Sequence, residues 1–137
     1  MTAFLKIGQE MINLIDTNIV LRFIVGDNEV QKIQARKIFQ DAQKGKINLL
    51  LKVVVIAEVC YVLESFYKQG REEVSSKLET FLSQRWIKVE DRKALLQMWK
   101  WYRQNMHFVD SFLLASAKVN KQNLLSFDDD LIKKLKK

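Results

Sequence analysis

The stretch Ile47-Asn-Leu-Leu-Leu-Lys-Val-Val-Val-Ile-Ala-Glu-Val-Cys-Tyr-Val-Leu63 contains the pattern that decides the fold. Residues 47–51 are an apolar run of strand length. From residue 53 to residue 68 the apolar side chains recur at helical spacing, along the stripe Val55, Val59, Val62, Leu63 and Phe66. A strand that leads directly into a helix is typical of a β–α–β unit.

The same alternation of short apolar runs and amphipathic segments extends outward in both directions. Strands are predicted at residues 11–15, 86–89 and 123–127, and helices at residues 28–44, 71–84, 91–106, 109–119 and 129–136. Alternating strands and helices predict an α/β fold with a central parallel sheet of about four strands and helices on both faces. Right-handed crossovers then place the carboxyl ends of the strands at one edge, where ligands of such sheets bind.

Composition narrows the class of protein further. A chain of 137 residues is expected to form one domain over residues 1–137. Its hydrophobic fraction of 48% excludes intrinsic disorder. A lone cysteine, Cys60, excludes a disulfide scaffold and suits the reducing cytoplasm. The longest apolar run, at residues 53–57, is far shorter than a membrane span, so no membrane partner is expected. The net charge of +7 points to anionic partners, nucleic acid first.

Four acidic residues occupy conspicuous positions. Asp16 and Asp128 each follow a predicted strand, Asp110 opens an apolar helix, and Glu58 interrupts an apolar stretch. Taken singly, each aspartate is also a typical helix N-cap, and Glu58 needs an ion-pair partner, a metal or a route to solvent.

As a set, the four carboxylates predict a metal site, since converging carboxylates repel one another without a cation between them. Carboxylate oxygens are typical ligands of Mg²⁺ or Mn²⁺. Such ions polarise a phosphodiester, lower the pKa of a bound water and stabilise the leaving oxygen. A basic surface around the acids would hold a polyanionic substrate.

Four motifs, at residues 15–20, 56–59, 108–115 and 125–131, carry a resemblance to a known family: Ile-Asp-Thr-Asn-Ile-Val, Ile-Ala-Glu-Val, Phe-Val-Asp-Ser-Phe-Leu-Leu-Ala and Leu-Ser-Phe-Asp-Asp-Asp-Leu. In order and spacing they resemble the PIN-domain nucleases, above all the VapC-like toxins of toxin–antitoxin pairs. The resemblance implies a PIN-like three-layer sandwich. These toxins commonly continue into a further short strand, whereas this chain is expected to have about four.

By this resemblance Asp16, Glu58 and Asp110 match the metal-binding acids, and Asp128 matches the acid of a Thr/Ser-x-Asp motif with Ser126. Asn18 matches the asparagine of the first motif, and Asp130 is a further acid whose simpler interpretation is an exposed charge at a helix start. The implied function is metal-dependent cleavage of RNA by a toxin that forms a homodimer and is neutralised by an antitoxin encoded nearby. The same residues leave open a receiver-like phosphoacceptor domain and a non-catalytic nucleic-acid-binding module.

Other conspicuous side chains are interpreted as structural. His107 is a surface or packing residue rather than a general base, and Cys60 is a core residue. The aromatic group Trp99, Trp101 and Tyr102 is assigned to the core or to dimer contacts rather than to base stacking. Arg22 and Lys52 are phosphate contacts or ordinary surface charges. The terminal lysines, Lys133, Lys134, Lys136 and Lys137, are expected to be a solvated tail.

Overall fold

The computed structural model describes residues 11–137. Its strands are β1 (Ile12–Leu14), β2 (Asn48–Leu51) and β3 (Lys88–Val89). Its helices are α1 (Thr17–Ile24), α2 (Glu29–Gln43), α3 (Val53–Ser65), α4 (Arg71–Leu82), α5 (Arg92–Gln97), α6 (Trp99–Arg103), α7 (Phe108–Asn120) and α8 (Asp129–Lys136). The described residues form two compact units, residues 11–62 with Gln84–Glu90 and Leu63–Ser83 with Asp91–Lys137. A single domain over residues 1–137 stays a prediction.

The first unit is built on a parallel sheet in the order β1-β2-β3. Ile12 pairs with Asn48, and Leu50 pairs with Lys88. Leu49 and Leu51 of β2 are buried, whereas Ile12 and Leu14 of β1 are 50% and 67% exposed. The prediction of an α/β chain with a parallel sheet flanked by helices is therefore confirmed.

Two side-chain caps begin the first two helices. Asp16 accepts a hydrogen bond from the backbone N–H of Thr17 at 2.8 Å and is the N-cap of α1. Asn28 accepts one from the N–H of Gln31 at 3.0 Å and caps α2. Such caps satisfy N–H groups that have no partner inside the helix. The capping alternative for Asp16 is thus confirmed, and the cap places Asp16 directly after β1.

The second unit consists of helices α4 to α8 and the last turn of α3. Its core contains the aromatic residues Trp99, Trp101 and Tyr102, which are at most 7% exposed. The Trp99 ring lies edge-on to Tyr102, with 5.2 Å between the ring centroids. The core interpretation of these aromatic residues is confirmed, as is that of Cys60, which is 1% exposed.

The structure corrects three predicted elements. Residues 123–127 are not a strand, and the sheet of the described residues has three strands rather than about four. Leu125 and Phe127 in that segment are almost fully exposed, and a strand without a partner backbone has no ladder to stabilise it. The single helix predicted at residues 91–106 is two helices that meet at Met98 and end at Arg103. Met98 itself has φ −70° and ψ −20°, so the interruption between the two helices is local.

Candidate active site

Two of the four predicted acids line one cleft in the second unit. The cleft has a volume of about 260 Å³ and lies between the start of α7 and α8. Asp110, Asp128 and Asp130 supply its carboxylates, and His107 and Lys134 lie at the same cleft. Residues 104–106, which lead into α7, complete the wall together with Leu131. The cleft therefore combines hard oxygen donors with one lysine and one histidine.

Asp110 does not cap a helix. The N-cap of α7 is His107, whose side chain makes no capping hydrogen bond, and Asp110 lies at the third helical position. Its side chain is half-buried, and within residues 11–137 its carboxylate has no hydrogen-bond or ion-pair partner. The capping alternative is therefore wrong for Asp110. A half-buried carboxylate with no protein partner needs water or a cation.

Asp128 both caps a helix and lines the cleft. One of its oxygens, Oδ1, accepts hydrogen bonds from the N–H groups of Asp130 and Leu131 at 3.0 and 3.2 Å. The Ser126 hydroxyl accepts the N–H of Asp128 at 3.0 Å, so the Ser-Phe-Asp motif forms a local turn before α8. This turn fixes Asp128 in the cleft, and within residues 11–137 its second oxygen, Oδ2, accepts no hydrogen bond. A cap and a metal ligand are therefore compatible roles for one carboxylate.

The other two predicted acids belong to the first unit. Asp16 is exposed at the start of α1, and Glu58 is exposed on α3. Within the described part of the chain, Glu58 has no ion-pair partner. Of the three interpretations offered for Glu58, exposure to solvent is the one that the structure supports. Asn18 lies at a separate cleft of the first unit, about 390 Å³ in volume, which Arg22 and Gln31 also line.

The resemblance implies a metal ion, but the described side chains do not form a complete metal site. Across residues 11–137, no three or more His, Cys, Asp or Glu side chains are grouped so that they could hold an ion. The donor chemistry of the cleft nevertheless fits Mg²⁺, which commonly takes one or two carboxylates and keeps several waters. Asp110 and Asp128 are the two residues of the cleft that would hold it.

Both cations proposed as phosphate contacts are engaged with protein groups. Arg22 donates to Asp27 at 2.9 Å and to Gln31 at 2.6 Å. Lys52 pairs with Glu90 at 2.8 Å. The hydrogen bond from Lys52, followed by that from the backbone N–H of Val53, holds the pKa of Glu90 below its ordinary value of 4.5. These contacts favour the surface-charge interpretation of both residues.

Sequence reasoning missed the role of Lys134. It assigned all the terminal lysines to a solvated tail, but Lys134 is half-buried and lines the cleft. Lys133, Lys136 and Lys137 are exposed as expected. A signal was available in the spacing, because Lys134 lies four residues after Asp130 and therefore on the same side of α8.

Comparison with known proteins assigns the chain to a family. The PIN domain family matches residues 14–137, and the chain belongs to it. The chain is also 32% identical over 114 residues to a VapC ribonuclease of Aquifex aeolicus (strain VF5), with 81% of each chain covered. No solved structure gives a significant match. Membership of this family disfavours the receiver-like alternative, and the described residues contain no helix long and apolar enough to span a membrane.

Proposed function

We propose that this protein is a metal-dependent endoribonuclease and the toxin of a toxin–antitoxin pair. The observation that carries this proposal is the cleft in which Asp110 and Asp128 meet, in a chain that belongs to the PIN domain family. Similarity to a VapC ribonuclease supports RNA as the substrate. The basic chain, with a net charge of +7, suits a polyanion.

We assign the metal-dependent step to all four acids, Asp16, Glu58, Asp110 and Asp128. The order of the four motifs supports the set, and the shared cleft supports Asp110 and Asp128. Bound Mg²⁺ or Mn²⁺ would polarise the phosphodiester and lower the pKa of a water. The chain's own contribution is to orient the Asp128 carboxylate through Ser126 and the start of α8, and to place the Lys134 ammonium where it can contact a phosphate.

The partners we propose follow from the same assignment. They are an RNA substrate, an antitoxin protein encoded nearby, and a second copy of the chain in a homodimer, all in the cytoplasm. Light scattering of the purified protein at micromolar concentration tests the dimer. Co-purification with the product of a small neighbouring reading frame, together with loss of RNA cleavage in that complex, tests the antitoxin.

RNA cleavage by Asp110→Asn is the central test. Single-stranded RNA is incubated with the parent protein in Mg²⁺ or Mn²⁺, with and without EDTA. The parent should cleave only with metal, and Asp110→Asn should cleave on the order of 100-fold more slowly because a metal ligand has been lost. Asp129→Asn is the matched control, since Asp129 is exposed and does not line the cleft. Parental cleavage by Asp110→Asn overturns its assignment, and RNA binding without any cleavage favours the non-catalytic module.

A second readout does not depend on activity. Millimolar Mg²⁺ or Mn²⁺ should raise the melting temperature of the parent, since a ligand present at about 100 times its Kd stabilises the folded state by about 2.7 kcal/mol. Asp110→Asn should lose most of that increase, whereas Asp129→Asn should keep it. An equal increase in all three proteins would place the ion elsewhere.

A further inference from the structure

A half-buried polar network lies behind the wall of the cleft. Arg71, the first residue of α4, donates from Nε to Glu64 at 3.2 Å and from Nη1 to the Tyr102 carbonyl at 2.9 Å. The same Nη1 also donates to the carbonyl of Met106. The Tyr102 hydroxyl completes the network by donating to the second oxygen of Glu64 at 2.6 Å. All of these residues belong to the second unit.

The network is partly shielded from water. The side chains of Arg71 and Glu64 are 21% and 31% exposed, and Tyr102 is fully buried. The guanidinium lies over the Tyr102 ring, 4.4 Å from its centroid. The planar guanidinium binds the carboxylate through Nε and both carbonyls through Nη1 while its face lies on the ring, a geometry that the single nitrogen of an ammonium group does not reproduce.

Arg71 connects the two ends of a short turn. Tyr102 lies in the last turn of α6, and Met106 immediately precedes His107, the N-cap of α7. Between them Asn105 has a φ of +72°, in the left-handed region that costs energy for a residue with a side chain. The turn also has its own bonds, from the N–H of Asn105 to Tyr102 and from that of Met106 to Trp101. Asn105 directly follows the C-cap of α6, and these two bonds give the turn the pattern of a Schellman motif, in which a left-handed asparagine is tolerated. The Arg71 guanidinium adds a contact to a carbonyl at each end of this turn.

The turn leads directly to the cleft. Residues 104–107 line the cleft, and Asp110 follows in the first turn of α7. The carbonyl of Met106 also receives a long hydrogen bond, 3.5 Å, from the buried hydroxyl of Ser111. That carbonyl therefore contacts both the Arg71 guanidinium and the start of α7, the helix whose first turn carries Asp110.

We propose that Arg71, held by Glu64 and Tyr102, is a positioning residue that fixes the 104–107 wall and thereby the Asp110 carboxylate. Arg71 does not line the cleft and is not a catalytic residue. Its position in the sequence agrees with this role, because a cation at the first position of a helix opposes the helix dipole and needs a favourable contact elsewhere.

Two substitutions of Arg71 distinguish a role in positioning the 104–107 wall from a general effect on the stability of the protein. Arg71→Ala removes every contact of the guanidinium, whereas Arg71→Lys keeps a cation for Glu64 but loses the planar arrangement of two nitrogens that binds Glu64 and both carbonyls. Lys77→Ala is the matched control, since Lys77 lies on the same helix, pairs with Glu73 at 3.1 Å and has no contact with the turn. Amide hydrogen exchange of Gln104, Asn105 and Met106 is the first readout.

We expect exchange at these amides to be at least tenfold faster in both Arg71 variants and unchanged in Lys77→Ala. A tenfold change corresponds to about 1.4 kcal/mol, so Arg71→Lys should melt roughly 4–7 °C below the parent, and faster exchange confined to the turn would show that the effect is local. Parental exchange at Gln104–Met106 in Arg71→Lys overturns the positioning role. Equal acceleration at all protected amides of the second unit overturns it as well, because that pattern indicates a loss of overall stability.

Cleavage kinetics supply the second readout, which rests on the proposed function. At a temperature at which every variant is folded, kcat of Arg71→Lys should fall roughly 10- to 100-fold, as expected for misplaced reacting groups. KM should change less than about threefold, because Arg71 does not touch RNA. Faster exchange with parental kcat overturns the link to Asp110. If the parent itself does not cleave RNA, the proposed function fails, and hydrogen exchange still decides whether Arg71 holds the turn.

Discussion

Asp128 can be replaced in two ways that have different consequences for α8. Its Oδ1 accepts hydrogen bonds from the N–H groups of Asp130 and Leu131, at 3.0 and 3.2 Å. Asparagine keeps an oxygen at this position and caps a helix about as well as aspartate. Alanine has no acceptor and leaves both N–H groups without their cap. The pair of variants therefore separates the cap from the negative charge.

The cap sets the size of the stability effect. Loss of an N-cap side chain costs about 1 kcal/mol, and loss of a carboxylate from a helix N-terminus costs about 0.5 kcal/mol more. For a chain of this length, 1 kcal/mol corresponds to roughly 3–5 °C in Tm. Asp128→Ala should therefore melt roughly 4–8 °C below the parent, and Asp128→Asn should melt within about 3 °C of it.

The activity of the two variants should not follow their stability. If Asp128 is a metal ligand, both variants should cleave RNA on the order of 100-fold more slowly than the parent in Mg²⁺, at a temperature at which all are folded. Asp129→Asn is the control, because Asp129 lies one residue further along and is exposed outside the cleft. Thermal melts followed by circular dichroism and an RNA cleavage assay measure the two effects. An Asp128→Asn protein with parental cleavage would falsify the ligand role, and an Asp128→Ala protein with the parental Tm would contradict the cap.

Two further predictions concern charge. The pKa of Glu90 is lowered chiefly by its hydrogen bond from Lys52, so its contribution to stability is present above pH 4.5 and lost as the pH falls below that value. Between about pH 6 and about pH 3 the Tm of Glu90→Gln should therefore fall less than the Tm of the parent. Identical dependence of Tm on pH in the two proteins would contradict this. If Lys134 binds a phosphate in the cleft, Lys134→Gln should reduce the slope of log affinity for single-stranded RNA against log salt by about 0.7, measured by fluorescence anisotropy. The exposed Lys136→Gln should leave the slope unchanged, and an equal change in both would show that the cleft has no special role.

The features predicted correctly from the sequence are those that depend on neighbouring residues. Asp16 caps the helix that it precedes, as predicted, because capping needs only the next few N–H groups. Apolar runs of strand length predict β2 and β3, and an apolar stripe at helical spacing predicts α3. Local patterning of this kind also placed Asp128 before a helix.

Residues 123–127 show that a local apolar pattern is not sufficient to predict a strand. The run Leu124-Leu-Ser-Phe127 has the composition of a strand, yet Leu125 is 88% exposed and no strand forms there. An apolar run indicates only that a segment is able to pair with another strand. Whether it does so depends on the tertiary fold, because the hydrogen bonds of a sheet join two backbones. Glu58 shows the same limit, since a charge within an apolar run of the sequence is exposed once α3 turns it outward.

The sequence gives even less indication of the network around Arg71. Its contacts join Arg71 to Glu64, Tyr102 and Met106, over separations of 7, 31 and 35 residues. Two of its acceptors are backbone carbonyls, which every residue carries, so residue identity does not indicate them. The one signal is a cation at the start of a helix, where the dipole is unfavourable for it. The acids of a cleft can thus be recognised by their chemistry, whereas the groups that hold them in place are recognised only when the backbone that they bind is known.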